Sequence, residues 1–329
     1  MKNLKHIVSI FFLYFSFVYA ADEVDHSSNE KEFSSEDLTT LRNSDFEFSP
    51  TTSKDLEVNT NVVIPNRKKS TFIAVGLSSL VPGLGHTYLG DLKTAGSLFG
   101  SSGTAYALSN LNSEGFKFTS FVTTQNISLY GIYAAYRDTH IYNNDIKNIP
   151  INSFSDLSFA PFNLKILKKP EVWGGFLGAL SLAVIISEIA YNNVSHVHCN
   201  LSYDGIKPLA ALPIGIGEES FFRGFIQSSF YSALPPWGAI TMSSLIFGLA
   251  HIPNALVLES EDRWRYYSFS LPFITSLGAY FGFLTYKNKS LKESVALHAW
   301  YDFTLFLAGT LLTQSAIKGK KEFSFSFVF

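Results

Sequence analysis

The run from Ile214 to Ile226 is apolar enough to lie within a lipid bilayer, yet it contains Glu218, Glu219 and Arg223. Each ionised side chain near a bilayer centre costs about 2.5 to 3.5 kcal/mol on the mildest insertion scale. Only mutual pairing or a polar cavity offsets three such penalties. Charges in this setting therefore indicate a functional site by default.

Apolar blocks recur along the chain from Thr71 onward, separated by short polar joints. Blocks of this length and continuity predict helices, because the strands of a membrane barrel alternate in polarity. The sequence therefore predicts an all-α protein, a polytopic transmembrane helical bundle with about seven or eight membrane segments. The predicted apolar blocks are 71–85, 94–111, 118–136, 171–191, 206–232, 236–252, 266–286 and 291–313.

Residues 1–20 have the pattern of a signal peptide. Two lysines precede an apolar run that is too short to span a bilayer, and Ala20 offers a cleavage site. The following residues, 21–70, are polar and predicted to be disordered. The basic cluster at 67–69 would normally remain cytoplasmic, whereas a translocated tail would place it outside, so the sequence leaves the orientation open.

The remaining organisation follows from composition. Residues 71–140 are predicted to form N-terminal membrane helices with a bend at Pro82–Gly90, where closely spaced Gly and Pro interrupt an apolar run. A loop at 141–170 separates them from a second helical domain at 171–315, and 316–329 is a tail. The net charge of −2 and the lack of a basic stripe give no indication of a nucleic-acid partner, and the single cysteine, Cys199, excludes an intrachain disulfide.

Three pairs of polar side chains occur on successive apolar segments. Glu219 and Arg223 are four residues apart and can form an ion pair on one helix face, whereas Glu218 lies about 100° round the helix and is freer to act on water. The other two pairs, also at i and i+4, are Phe247 with His251 and His298 with Asp302. Taken singly, each pair has a simpler interpretation as a helix-packing contact.

The ordered triplet Glu-Glu-x-x-x-Arg, Phe-x-x-x-His and His-x-x-x-Asp resembles the CAAX protease and bacteriocin-processing family of intramembrane proteases, which includes the type II CAAX prenyl endopeptidases. The resemblance covers about 170–315. It implies that Glu218 and His251 polarise the attacking water, supported by Glu219 and Arg223, and that His298 and the residue four beyond it stabilise the oxyanion. Many members have Asn where this chain has Asp302, which can donate a hydrogen bond to an oxyanion only when protonated.

Several alternatives remain open at this stage. The family includes members described as metalloproteases and as metal-independent glutamate proteases, and Glu218, His251 and His298 could hold zinc. The chain could instead be a non-catalytic scaffold or immunity-type protein, or a proton-relay transporter. The predicted protease would act on a peptide or membrane-protein substrate in the lipid bilayer, in the cytoplasmic (inner) membrane of a bacterium.

Overall fold

The computed structural model describes residues 68–111, 113–190, 206–258 and 260–317. The signal peptide, most of the polar tail, Cys199 and nearly all of the C-terminal tail lie outside these ranges, and those predictions stay untested. The described residues form helices and turns with no strand, which confirms the all-α prediction.

The described helices follow the predicted apolar blocks closely. The first half contains α1 (Thr71–Leu80), α2 (Leu84–Leu89), α3 (Leu92–Leu108) and α4 (Glu114–Tyr142). The connection contains the short helices α5 (Phe154–Phe159) and α6 (Leu164–Leu167). The second half contains α7 (Pro170–Ala190), α8 (Ala211–Glu219), α9 (Ser228–Phe230), α10 (Pro236–Ala250), α11 (Ser260–Arg265), α12 (Leu271–Asn288) and α13 (Lys292–Ile317).

The block predicted at 71–85 bends back on itself. Helix α1 has 10 residues, which is about 15 Å at 1.5 Å per residue and only half the thickness of a hydrocarbon core. The chain turns at Gly83, which has a φ of 89° and lies against the backbone of Ala95, so a side chain there would be strained and would clash. The Ser70 amide donates to the Tyr88 hydroxyl at 3.0 Å, so α1 begins where α2 ends.

Two described helices are long and apolar enough to cross a membrane, Pro170–Ala190 and Pro236–Leu256. Both begin with proline, which fits the first turn of a helix because its missing N–H has no partner there. The prediction of seven or eight membrane segments is not confirmed, because α1 is too short and the other helices are less apolar over the required length.

Residues 211–230, here called the motif helix, pass between α4 and α13. Gly217 lies against Asn126 of α4, and one heptad further Gly224 lies against the Tyr133 ring. On the opposite side, Gly215 lies against the backbone of Ala299. These glycines let the three helices approach closely, as small residues do in membrane bundles. Helix α4, which the sequence placed outside the protease-like segment, is therefore a direct neighbour of the charged motif.

We expect Gly217→Ala to destabilise the fold. The added Cβ would lie 2.7 Å from the Asn126 Cα, so α4 and the motif helix would have to separate, at a cost of about 1 to 3 kcal/mol. Gly178→Ala is the matched control, because nothing lies within 4 Å of that position. Thermal unfolding in detergent should show a lower Tm for the first variant and an equal or higher Tm for the second; equal values for both would contradict the close packing.

Candidate active site

The motif helix changes its winding in the middle of the charged motif. Residues Ala211–Glu219 are α-helical, whereas Ser220–Gln227 form a π-helix whose residues are all buried. A π segment inside an α-helix is rare and frequently marks a functional site. Here it begins immediately after the paired glutamates and includes Arg223.

The ion pair predicted from the i and i+4 spacing is formed. Arg223 Nη1 donates to Glu219 Oε1 at 3.0 Å, and neither side chain has any exposed surface. Arg223 also donates from Nη2 to the Gly278 carbonyl of α12 at 2.9 Å. The guanidinium therefore has both a charge partner and a backbone acceptor, as a buried cation requires.

Aromatic rings enclose the Arg223 guanidinium. Its central carbon lies 4.3 Å from the ring centroid of Phe247 and 5.4 Å from that of Phe281. Cation–π attraction of this kind reaches about 2 kcal/mol when the cation is removed from water. The sequence singled out Phe247 only as the neighbour of His251 and did not identify Phe281.

Two glycines of α12 accommodate the polar side of the motif helix. Gln227, one turn after Arg223, donates from Nε2 to the Gly282 carbonyl at 3.1 Å, one turn after Gly278. A Cβ at Gly282 would lie 2.6 Å from Gln227 Oε1. The matched spacing of Arg-x-x-x-Gln and Gly-x-x-x-Gly is visible in the sequence and could have predicted this helix pair.

His298 of α13 joins the carboxylates. Its Nδ1 lies 2.8 Å from Glu219 Oε1, and its Nε2 lies 3.4 Å from Asp302 Oδ2 and 3.9 Å from Glu218 Oε2. The Phe281 ring stacks on the imidazole at a centroid distance of 4.9 Å and an interplanar angle of 15°. The ring plane is thus fixed by stacking and both nitrogens face carboxylates.

Glu218 and Glu219 differ in their surroundings although they are adjacent. The Glu219 side chain is fully buried, and its Oε1 receives both Arg223 and His298. The Glu218 side chain remains 21% exposed, and the buried Oε2 atoms of both glutamates have no hydrogen-bond partner among the described residues. Glu219 is therefore held in place through its Oε1, whereas Glu218 is partly exposed and keeps a free acceptor beside His298.

His251 directly follows the last residue of α10 and lies beside the Phe247 ring. The centroid of that ring lies 4.5 Å from the His251 imidazole and 6.3 Å from the His298 imidazole. His251 Nδ1 lies 2.7 Å from the Phe247 carbonyl oxygen, which can only accept, so Nδ1 carries the proton and Nε2 is the free acceptor. His251 makes no direct ion pair with Glu218, Glu219 or Asp302 in the described chain.

Of the six residues singled out in the sequence, five are linked by contacts between their side chains: Glu218, Glu219, Arg223, His298 and Asp302. The sixth, His251, lies beside the Phe247 ring, which also adjoins Arg223 and His298. Among the described residues, no three His, Cys, Asp or Glu side chains are arranged to hold a metal ion. The zinc site therefore stays a prediction of the sequence.

A comparison with known protein families matches the segment that contains this site. Residues 207–304 are similar to the family model described as Type II CAAX prenyl endopeptidase Rce1-like. The match begins just before the motif helix, ends just after Asp302 and covers less than a third of the chain. No curated protein and no solved structure matches the chain. The family is one of membrane-integral peptidases.

We expect Arg223→Gln to destabilise the protein strongly. It would leave Glu219 buried without its charge partner, a change that typically costs about 3 to 5 kcal/mol. Arg265→Gln is the matched control, since Arg265 pairs with Asp262 at 2.6 Å on a partly exposed helix. Exposed pairs contribute about 1 kcal/mol or less. Thermal unfolding in detergent measures the loss of stability in both variants. Similar losses would show that the buried ion pair contributes no more to stability than the partly exposed one.

Proposed function

We propose that this protein is an intramembrane endopeptidase that hydrolyses peptide bonds within or beside the bilayer. The observation that carries the proposal is the contrast between two adjacent carboxylates. Glu219 is held in place by Arg223 and His298, whereas Glu218 is partly exposed and has a free acceptor next to the stacked His298. The family match over the same residues supports it. We further propose a multi-pass location in a bacterial cytoplasmic membrane and a peptide or membrane protein as substrate.

In this proposal Glu218 is the general base. Its Oε2 has no hydrogen-bond partner in the protein and lies 3.9 Å from His298 Nε2, where it can accept a proton from water. The resulting hydroxide attacks the carbonyl carbon of the scissile bond. Glu218 then gives the proton to the leaving amine as the C–N bond breaks, which balances the reaction. His251 Nε2 is a second acceptor that orients the water.

His298 and its neighbours would stabilise the tetrahedral intermediate. In its protonated form the imidazole donates from both nitrogens, and Nε2 is the one on the Glu218 side. A preorganised donor at the developing oxyanion contributes about 3 to 4 kcal/mol to catalysis. Glu219 holds Nδ1, and Asp302 Oδ2, 3.4 Å from Nε2, would accept a hydrogen bond from the single Nε2–H and orient the ring before substrate binds; that N–H would then turn to the oxyanion as the intermediate forms. This role requires only an acceptor oxygen at Asp302, which the carboxyl group offers whether or not it is protonated.

The two rival functions predict different consequences of the same substitutions. A scaffold or immunity-type protein needs the fold but not the free Glu218 carboxylate, and a proton-relay transporter would show flux without cleavage. A scaffold gives no reason for the unpartnered carboxylate oxygen of Glu218 to adjoin His298, whereas a proton relay would use the same pair and is separated from the endopeptidase by the cleavage test. The endopeptidase proposal accounts for this arrangement.

We expect Glu218→Gln to abolish proteolysis while leaving the folded protein intact, because the amide cannot take a proton from water. Membrane-protein N-termini would be compared by mass spectrometry in bacteria that produce the wild-type protein or the variant. New termini should appear only with the wild type. Glu261→Gln, on the short helix α11, is the control and should cleave normally. Cleavage by the Glu218→Gln variant would refute the mechanism.

We expect Asp302→Asn to keep most of the activity and Asp302→Leu to lose it. The Asn carbonyl oxygen still accepts from His298 Nε2, whereas Leu offers no acceptor and frees the ring. Cleavage rates would be measured on a peptide that spans a site found by the N-terminal comparison. The rate should fall by less than about tenfold for Asn and by about 10²-fold or more for Leu, which is the range for the loss of an acid–base or orienting group. Equal loss in both variants would show that the negative charge of Asp302 is itself required.

A further inference from the structure

One end of the bundle is rich in lysine. Both candidate spans, Pro170–Ala190 and Pro236–Leu256, begin at this end, and α12 finishes there. The ends meet through contacts such as Lys287 Nζ with Glu171 Oε1 at 3.0 Å. Basic residues at this end include Lys69, Lys93, Lys168, Lys169, Lys287, Lys289 and Lys292.

Several of these lysines are neutralised by carboxylates, and Lys289 is not. Lys169 pairs with Glu293 at 2.6 Å, and Lys292 pairs with Asp156 at 2.7 Å. No carboxylate of the described chain pairs with Lys289. Its ammonium lies 4.2 Å from the centroid of the Tyr286 ring, and its backbone has a φ of 52°, which ends α12. The cation is therefore held against a ring with its charge available.

A cavity of about 240 Å³ lies beside Lys289. This volume is far larger than a single water site needs. One wall is aliphatic, from the connection after α4, and the other is polar and aromatic, from the ends of the motif helix and α12. The lining residues are Ile146, Asn148, Ile149, Pro150, Ile151, Ser228, Tyr231, Thr285, Tyr286 and Lys289.

Tyr231 adds a hydrogen-bond donor to the same cavity. Gln227 Nε2 donates to the Tyr231 hydroxyl oxygen at 2.7 Å, so the hydroxyl proton remains available to another acceptor. The Tyr231 and Tyr286 rings lie 6.3 Å apart. A cation, a hydroxyl donor and an aliphatic wall together match an anion that is attached to an apolar body.

We propose that this cavity binds the phosphate of an anionic phospholipid. The cavity lies where the membrane spans begin, which is the depth of the lipid headgroups. Anionic lipids attract lysines near the surface of the cytoplasmic leaflet, and lysine excess is typical of cytoplasmic loops. The Ile146 and Ile151 side chains, 46% and 62% exposed, offer apolar surface to the rest of the lipid.

The site is connected to the candidate active site through one residue. Gln227 bonds both to Tyr231 at the cavity and to the Gly282 carbonyl next to the Arg223 contact. The bound lipid would therefore restrain the end of the motif helix. The binding itself does not depend on the proposed proteolysis, so the two proposals can fail separately.

The test is lipid binding by the purified full-length protein in detergent, measured by native mass spectrometry. Phosphatidylglycerol and phosphatidylcholine are titrated into the wild-type protein, Lys289→Gln and Lys93→Gln. Wild type and Lys93→Gln should prefer phosphatidylglycerol. Lys289→Gln should weaken its binding about fivefold, as expected for about 1 kcal/mol per surface lysine, and leave phosphatidylcholine unchanged.

Several results would overturn the proposal. Equal binding of the two lipids by the wild type, or an unchanged preference in Lys289→Gln, would exclude a site at Lys289. Displacement of the lipid by inorganic phosphate at equal concentration would identify a site for the free anion instead. If Lys289→Gln unfolds, Tyr286→Leu is used, since it removes the ring that holds the ammonium and should reduce the preference in the same way.

Discussion

The Arg223–Glu219 ion pair organises the centre of this protein. It is fully buried, so each charge depends on the other, and the pair is completed by the Gly278 carbonyl and by His298. Three helices thus meet at two side chains of the motif helix. The aromatic rings of Phe247 and Phe281 exclude water from the pair and touch the two histidines. The contacts that offset the cost of burying these charges therefore also position the reactive groups.

Close helix packing makes this arrangement possible. The motif helix has small residues toward α4 and α13, and α12 has small residues toward the motif helix. Without a hydrophobic force between helices in lipid, such contacts and interhelical hydrogen bonds supply the association. The same helix-packing surfaces therefore determine both the stability of the fold and the geometry of the site. Glu218 remains partly exposed among buried neighbours.

The sequence predicted the helices well because continuous apolar blocks with polar joints have one simple interpretation. It also predicted the Glu219–Arg223 pair and the three motif segments, since i and i+4 spacing fixes a shared face. It did not predict Phe281 or the contact of Asn126 with Gly217, because these partners are far apart in the chain and no local pattern links them. The number of crossings stays unconfirmed for a related reason, as α1 turns back at Gly83 after half the required length.

The π-helical winding of Ser220–Gln227 changes how the motif helix must be compared with other chains. Such a segment accommodates roughly one residue more than regular α-helical turns over the same length. A helical wheel drawn through 211–230 at constant spacing therefore places the residues after Gln227 about one position, or roughly 100°, out of register with Glu218. Relatives that lack the extra residue would therefore present the residues after this segment on a different face of the helix.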